Sequence, residues 1–138
     1  MRCTVSYRVE FESSYLLESE LHSHRYRLEV TVDGPQRLND HGAVIDFKTL
    51  ANHVKSVYYD KQFIYGNSQT AEELCVVDLL RRIGVPLHYI DDSLSVENFC
   101  IDIATRLQAR LDQYDPGVRL IDVKLRETND SFASWTRS

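Results

Sequence analysis

The sequence predicts an α+β domain, and three observations carry that expectation. Two long stretches near the N-terminus alternate strictly between apolar and polar residues. Three later segments carry apolar residues at helical spacing behind an N-capping side chain. A third alternating stretch with a short return follows near the C-terminus. Alternation with one polar face belongs to antiparallel strands whose other face is covered. Two strands, then helices, then two strands therefore predict a four-stranded antiparallel sheet with helices on one face. All 138 residues are assigned to one domain, with no linker, repeat or low-complexity segment.

The first strand runs from Cys3 to Tyr15, with Cys3, Val5, Tyr7, Val9, Phe11 and Tyr15 on one face. The second runs from Leu21 to Asp33. His22, His24, Tyr26, Leu28, Val30 and Val32 face the core, while Arg25, Arg27, Glu29, Thr31 and Asp33 face solvent. Gly34-Pro35 ends it, and a polar loop leads to Gly42 and the apolar run Ala43-Val44-Ile45. Asp46 is placed to cap a helix whose stripe is Phe47, Leu50, Ala51, Val54, Val57 and Tyr58. Thr70 and Glu73 form a capping-box pattern at the start of a second helix that stops at Gly84. Val85 to Ile90 reads as a short strand. Ser95 caps a third helix with the stripe Val96, Phe99, Cys100, Ile103, Leu107 and Leu111. Asp115-Pro116-Gly117 ends that helix. Val118 to Thr128 is a strand with Ile121, Val123, Leu125 and Glu127 on one face, and Ser131 to Trp135 pairs back on it after an Asn129-Asp130 turn.

Composition narrows the function classes. The net charge is −5 and the basic residues are scattered, which argues against a nucleic-acid partner. No run of about 18 apolar residues and no leader pattern occurs, so the expectation is a cytoplasmic protein without membrane attachment. Cys3, Cys75 and Cys100 are odd in number and form no C-x-x-C, so they read as buried structural thiols.

Two features point to chemistry. In His22-Ser23-His24 both imidazoles project to one face, because alternate strand residues share a face. Zinc wants three or four protein ligands, so the pair is half a metal site or two pocket histidines bonded to neighbours. Glu127 closes an otherwise apolar strand face, and an unpaired buried carboxylate is costly. It either pairs with an arginine at the sheet rim or accepts two parallel hydrogen bonds from the N–H edge of a planar ring. By themselves, Asp60-Lys61 is a surface ion pair, and Glu18 and Glu20 are a solvated acidic turn.

Taken in order, these pieces resemble the 6-pyruvoyl-tetrahydropterin synthase and 6-carboxytetrahydropterin synthase family. The matching elements are Phe11-Glu12-Ser13-Ser14-Tyr15, His22-Ser23-His24-Arg25-Tyr26 and Gly42-Ala43-Val44-Ile45-Asp46-Phe47. Asp60-Lys61, Leu94-Ser95-Val96-Glu97-Asn98 and Arg126-Glu127-Thr128 complete the set. The resemblance implies a tunnelling fold (T-fold), in which sheets of several subunits close into a barrel. It implies a homo-oligomer, trimer or hexamer, with sites between subunits.

The resemblance also implies roles. His22 and His24 match two of three zinc histidines, Asp60 a proton-transfer aspartate, and Glu127 the carboxylate that anchors a pterin ring. Three positions depart. Tyr15 stands at the first zinc ligand, Glu18 near the catalytic cysteine, and Lys61 at the catalytic histidine. A carboxylate is a competent general base, and a desolvated lysine is an acid or a nucleophile. A neutral tyrosine is a poor zinc ligand beside imidazole, so zinc is expected to be weak or absent. If it is held, Glu18 is the third protein ligand. The implied function is a lyase of this type with altered chemistry on the side chain of a reduced pterin or related fused ring. Tyr15 and Glu127 would bind substrate, and Glu18, Asp60 and Lys61 would act on it. The other readings are a genuine 6-carboxytetrahydropterin synthase and a non-catalytic T-fold subunit.

Overall fold

The computed structural model describes residues 2–35 and 44–138; Gly42 and Ala43 of the connecting loop lie outside the described residues. Its elements are β1 (Arg2–Leu17), β2 (Glu20–Pro35), α1 (Phe47–Lys55), β3 (Gln62–Gly66), α2 (Ala71–Arg82), β4 (Leu87–Ile90), α3 (Val96–Tyr114), β5 (Arg119–Arg126) and β6 (Phe132–Thr136). The α+β class holds, but the sheet has six strands in the order β4-β3-β1-β2-β5-β6, not four. It is also mixed, because β3 runs parallel to β1 and β4 parallel to β3. Gln62–Gly66 has no strict alternation, since Phe63 and Ile64 are both buried and Tyr65 is half-buried. A strand covered on both sides carries no period-2 signal, and that is why the sequence reading missed it.

β1 and β2 form one long antiparallel hairpin from Arg2↔Pro35 to Leu17↔Glu20. Its two-residue turn is Glu18-Ser19, with φ of 53° and 64°. Successive left-handed residues match the right-handed twist of the strands, although neither is a glycine or asparagine. The alternation expected for both strands is present, with Phe11, Ser13 and Tyr15 buried on β1 and Tyr26, Leu28, Val30 and Val32 buried on β2. Asp33 departs from its expected solvent face. It is buried and accepts hydrogen bonds from Arg2 and Arg119, which hold its carboxyl at about 2.

A bulge between β2 and β5 corrects a second expectation. Thr31 pairs with Asp122 and Val32 with Leu120, so Ile121 is the extra residue. Leu120, Val123 and Leu125 are fully buried instead, and Ile121 is half-buried.

All three N-caps form as expected. Asp46 accepts from the Thr49 N–H, Ser95 from the Asn98 N–H, and Thr70 and Glu73 close a capping box. The α1 stripe is shorter than expected. The Ser56 hydroxyl donates to the His53 carbonyl at 2.7 Å, and the Ser56 N–H closes on Asn52 and His53, which ends the helix at Lys55. Phe47, at the start of the helix, is solvent-exposed, while Val57 and Tyr58 pack from the turn that follows it. Gly84 stops α2 at φ 87°. The α3 stripe is buried throughout, between the helix and the sheet. Of the cysteines, Cys100 is buried and Cys3 half-buried, but Cys75 is exposed, because the buried side of α2 consists of Glu73 and Val77. No helix among the described residues is long and apolar enough to cross a membrane.

Candidate functional site

The hairpin register builds the site. Tyr15 pairs with His22, Ser13 with His24 and Phe11 with Tyr26, so all six share the inward face at one end of β1 and β2. β5 ends at Arg126, opposite Arg27, and delivers Glu127 beside Tyr26. The Glu127 N–H donates to the Ser131 carbonyl at 2.9 Å, which fixes the backbone where the chain turns into β6. Phe99 of α3 closes the cluster from behind, edge-on to Tyr15 and Tyr26.

Glu127 is the centre of the arrangement, with its side chain 12% exposed. The Tyr26 hydroxyl donates to Oε2 at 2.8 Å. The Tyr15 hydroxyl donates across both oxygens, at 3.1 and 3.3 Å. Burial, and then the Glu127 charge, push both phenols well above their ordinary value of 10, so they remain neutral donors. The carboxylate is thus partnered by two phenols rather than by a rim arginine. Oε1 receives only the longer Tyr15 branch. It stands 3.5 Å from His24 Nε2, an atom shut off from water and without an aligned hydrogen bond. A buried imidazole nitrogen in that state costs stability that a hydrogen-bonding ligand would return.

His22 does not share this contact. Its ring lies flat on Tyr15, with centroids 4.9 Å apart and planes within 4°, and its centroid is 6.0 Å from that of His24. Tyr15 therefore stands against His22 and spends its hydroxyl on Glu127. Among the described residues no three His, Cys, Asp or Glu side chains come together as a metal-binding group. A neutral phenol turned to a carboxylate does not complete a zinc set with the two histidines.

His24 also lines a second space of about 500 Å³, together with Lys61, Ser14, Ser23 and Arg25. Lys61 has φ 58°, a left-handed conformation that glycine adopts freely and a lysine adopts at a cost of about 1–2 kcal/mol. Its N–H donates to the Glu12 carbonyl at 2.6 Å, and Asp60 Oδ1 accepts from the Glu12 N–H at 3.1 Å. Asp60 is thus tied to the backbone of β1, which leaves Lys61 the freer group. Lys61→Gly is expected to raise thermal stability by about 1 kcal/mol, or roughly 3–5 °C for a chain of this length, as measured by calorimetric melting. An unchanged or lower melting temperature would show that the lysine side chain itself stabilises the turn.

The structure places Glu18 at the exposed tip of the hairpin, beyond the Leu17↔Glu20 pair, and does not bring it into a metal-binding group with His22 and His24. Glu127, Tyr15 and His24 are brought together within one chain. Sequence reasoning missed Tyr26 as a site residue, although its inward hydroxyl needed a partner and was therefore a usable signal. It also missed Ser13, whose hydroxyl donates to the Tyr59 carbonyl at 2.5 Å.

Comparison with known proteins gives the family and the fold. The family model described as 6-pyruvoyl tetrahydropterin synthase matches residues 4–138. A putative 6-carboxy-5,6,7,8-tetrahydropterin synthase of Pyrococcus abyssi is 40% identical over 55 residues, which are 35% of this chain and 34% of the relative. A putative enzyme of the same description from Pyrococcus horikoshii is 32% identical over 83 residues, 54% of this chain and 50% of the relative. The matched segments thus span half or less of these curated relatives. Among solved structures, an uncharacterized protein of Wolinella succinogenes superposes with a TM-score of 0.75 at 15% identity, covering 100% of this chain and 99% of that one. The 6-pyruvoyl tetrahydropterin synthase of Caenorhabditis elegans gives 0.69 at 17% identity, covering 100% and 97%. A Plasmodium vivax 6-pyruvoyltetrahydropterin synthase with a catalytic glutamate replaced gives 0.72 at 17% identity, covering 100% and 99%. With the match running from the fourth residue to the last, the chain belongs to the 6-pyruvoyl tetrahydropterin synthase family.

Proposed function

We propose that this chain binds a reduced pterin or a related fused ring at Glu127 and catalyses proton transfer or elimination on the ring's side chain, without relying on a bound zinc ion. The observation that carries this reading is the Glu127 carboxylate, nearly buried, held by two neutral phenols and open at Oε1 beside His24. A ring N–H edge needs two acceptor oxygens. With Tyr26 on Oε2 and the Tyr15 hydroxyl settled on Oε1, each oxygen accepts one phenol and keeps acceptor capacity for one ring N–H. His24 Nε2 lies 3.5 Å from Oε1, and His24 and Lys61 both line the neighbouring space. In this reading these two groups exchange protons with the side chain of the bound ring. A glutamate acts as a catalytic residue in the P. vivax relative, which supports a carboxylate such as Glu18 in place of a thiol. At the hairpin tip, Glu18 would serve the site of a neighbouring subunit.

A second reading is favoured by the same contacts. Tyr15 and Tyr26 already satisfy much of Glu127, as a binding or structural subunit of this fold would require. Calorimetry with neopterin, biopterin and guanine separates the two. Binding of one of them with micromolar affinity, followed by conversion of the reduced ligand, supports the enzyme, whereas absence of fused-ring binding leaves the subunit. Assembly is part of the proposal. β4 and β6 are the open edges of the sheet, and closing them against copies of the chain removes unpaired backbone groups. Multi-angle light scattering at micromolar concentration is expected to give a trimer or hexamer, and a stable monomer would refute it.

A further inference from the structure

A second, half-buried polar cluster joins α3 to β4 around the buried Tyr59, and the chemistry above does not use it. Asp102 of α3 accepts the Tyr59 hydroxyl at 2.5 Å and stands 3.0 Å from His88 Nε2 of β4. The Tyr59 ring is fully buried and stacks on His88 with centroids 4.3 Å apart. One turn further along α3, Arg106 donates to the Val57 carbonyl at 2.7 Å and reaches Asp102 at 3.5 Å. Burial opposes ionisation of Asp102, but the hydrogen bonds from His88 and Tyr59 and the Arg106 charge outweigh it, and its carboxyl lies below the usual range.

An ionised aspartate whose side chain is only 20% exposed needs a reason, since taking its charge partly out of water carries a cost. The reason lies in what its partners hold. Tyr59 and Val57 flank the turn that delivers Asp60 and Lys61. The Tyr59 carbonyl accepts from Ser13 at 2.5 Å and from the Gln62 N–H at 3.1 Å, so Tyr59 is fastened at both ends, by ring and by backbone. Two residues on, Lys61 takes its left-handed conformation, which local sequence does not favour. We infer that Asp102, with His88 and Arg106, acts as a positioning group that clamps the Val57–Lys61 turn. The clamp holds Lys61 in a strained backbone at the space it shares with His24. Only the consequence for catalysis rests on the proposed role of Lys61. The clamp itself is a property of the free chain.

The test is residue-resolved amide hydrogen exchange on the unliganded protein carrying Asp102→Asn, Tyr59→Phe, or both. The Lys61 and Gln62 amides, which bond to Glu12 and Tyr59, are expected to exchange at least about tenfold faster in each single variant. Amides of the β2–β5 pairing should keep the parent rates. The double variant should exchange no faster than the quicker single one, because both substitutions break the same link. Uniform acceleration across the sheet, additive effects in the double variant, or parent rates at Lys61 would each overturn the clamp. Should Asp102→Asn fail to fold, Tyr59→Phe alone decides, since it removes a single oxygen. Ring affinity measured on the same proteins keeps the two ideas apart. A parent that binds no fused ring sinks the proposed function and leaves the exchange result standing.

Discussion

Replacing Tyr15 by histidine is expected to give a protein that retains about one zinc per chain, where the parent is expected to retain little. The substitution places a third imidazole on the inward face, opposite His22 in the hairpin register and beside His24. In the parent that position carries a phenol whose proton is held by burial and by Glu127, so it offers zinc no anionic oxygen. Elemental analysis after dialysis reads the result, and cobalt substitution reports the geometry through its visible absorption. A second readout is thermal. Without metal, the variant loses a hydrogen bond to a charged group, about 1.5–3 kcal/mol, and melts lower than the parent. Added zinc should restore the melting temperature of the variant and leave that of the parent unchanged. Stoichiometric zinc in the parent, above all if it survives Glu18→Ala, would overturn this account of the centre.

Glu127→Gln is expected to weaken fused-ring binding at least tenfold. The substitution keeps the shape of the side chain but exchanges an acceptor oxygen for an amide donor facing a ring N–H. A hydrogen bond to a charged group contributes about 1.5–3 kcal/mol, and about 1.4 kcal/mol is a factor of ten. The two phenols sharpen the comparison. Their hydroxyls rotate, so the amide oxygen can still take Tyr26 and the variant should fold. Glu127→Ala leaves both hydroxyls without an acceptor and is expected to destabilise the protein by about 1–3 kcal/mol for each unsatisfied group. Calorimetric titration with neopterin, biopterin and guanine gives the affinities, and thermal melting gives the stabilities. Equal affinity in parent and Gln variant would remove Glu127 from ring recognition.

Legibility followed the physics of each element. The hairpin strands and α3 were readable because each buries one face, which imprints a period of two or 3.6 residues on the sequence. The caps at Asp46, Thr70 and Ser95 were readable because unsatisfied helix N–H groups demand particular side chains. Three features were hidden. β3 is covered on both sides and does not alternate. The bulge at Ile121 moves a strand's inward face by one residue, and no turn residue announces it. α1 stops at Ser56 because a serine hydroxyl folds back on His53, although the apolar stripe continues beyond it.

The candidate site divides in the same way. The sequence by itself determined that two imidazoles, a tyrosine and a carboxylate lie on inward faces, since strand alternation assigns faces without knowing what lies opposite. Through the family resemblance it also raised the expectation that Tyr15, Glu18 and Lys61 stand where the family carries reacting groups. Only the tertiary structure decided their partners. Tyr15 and Tyr26 close on Glu127, Glu18 remains at the hairpin tip, and Lys61 is held in a left-handed turn anchored through Tyr59 to Asp102. The residues of that last chain come from segments 41 or more positions apart. Their contact depends on how strand order and helix placement bring those segments together, and no local pattern records it.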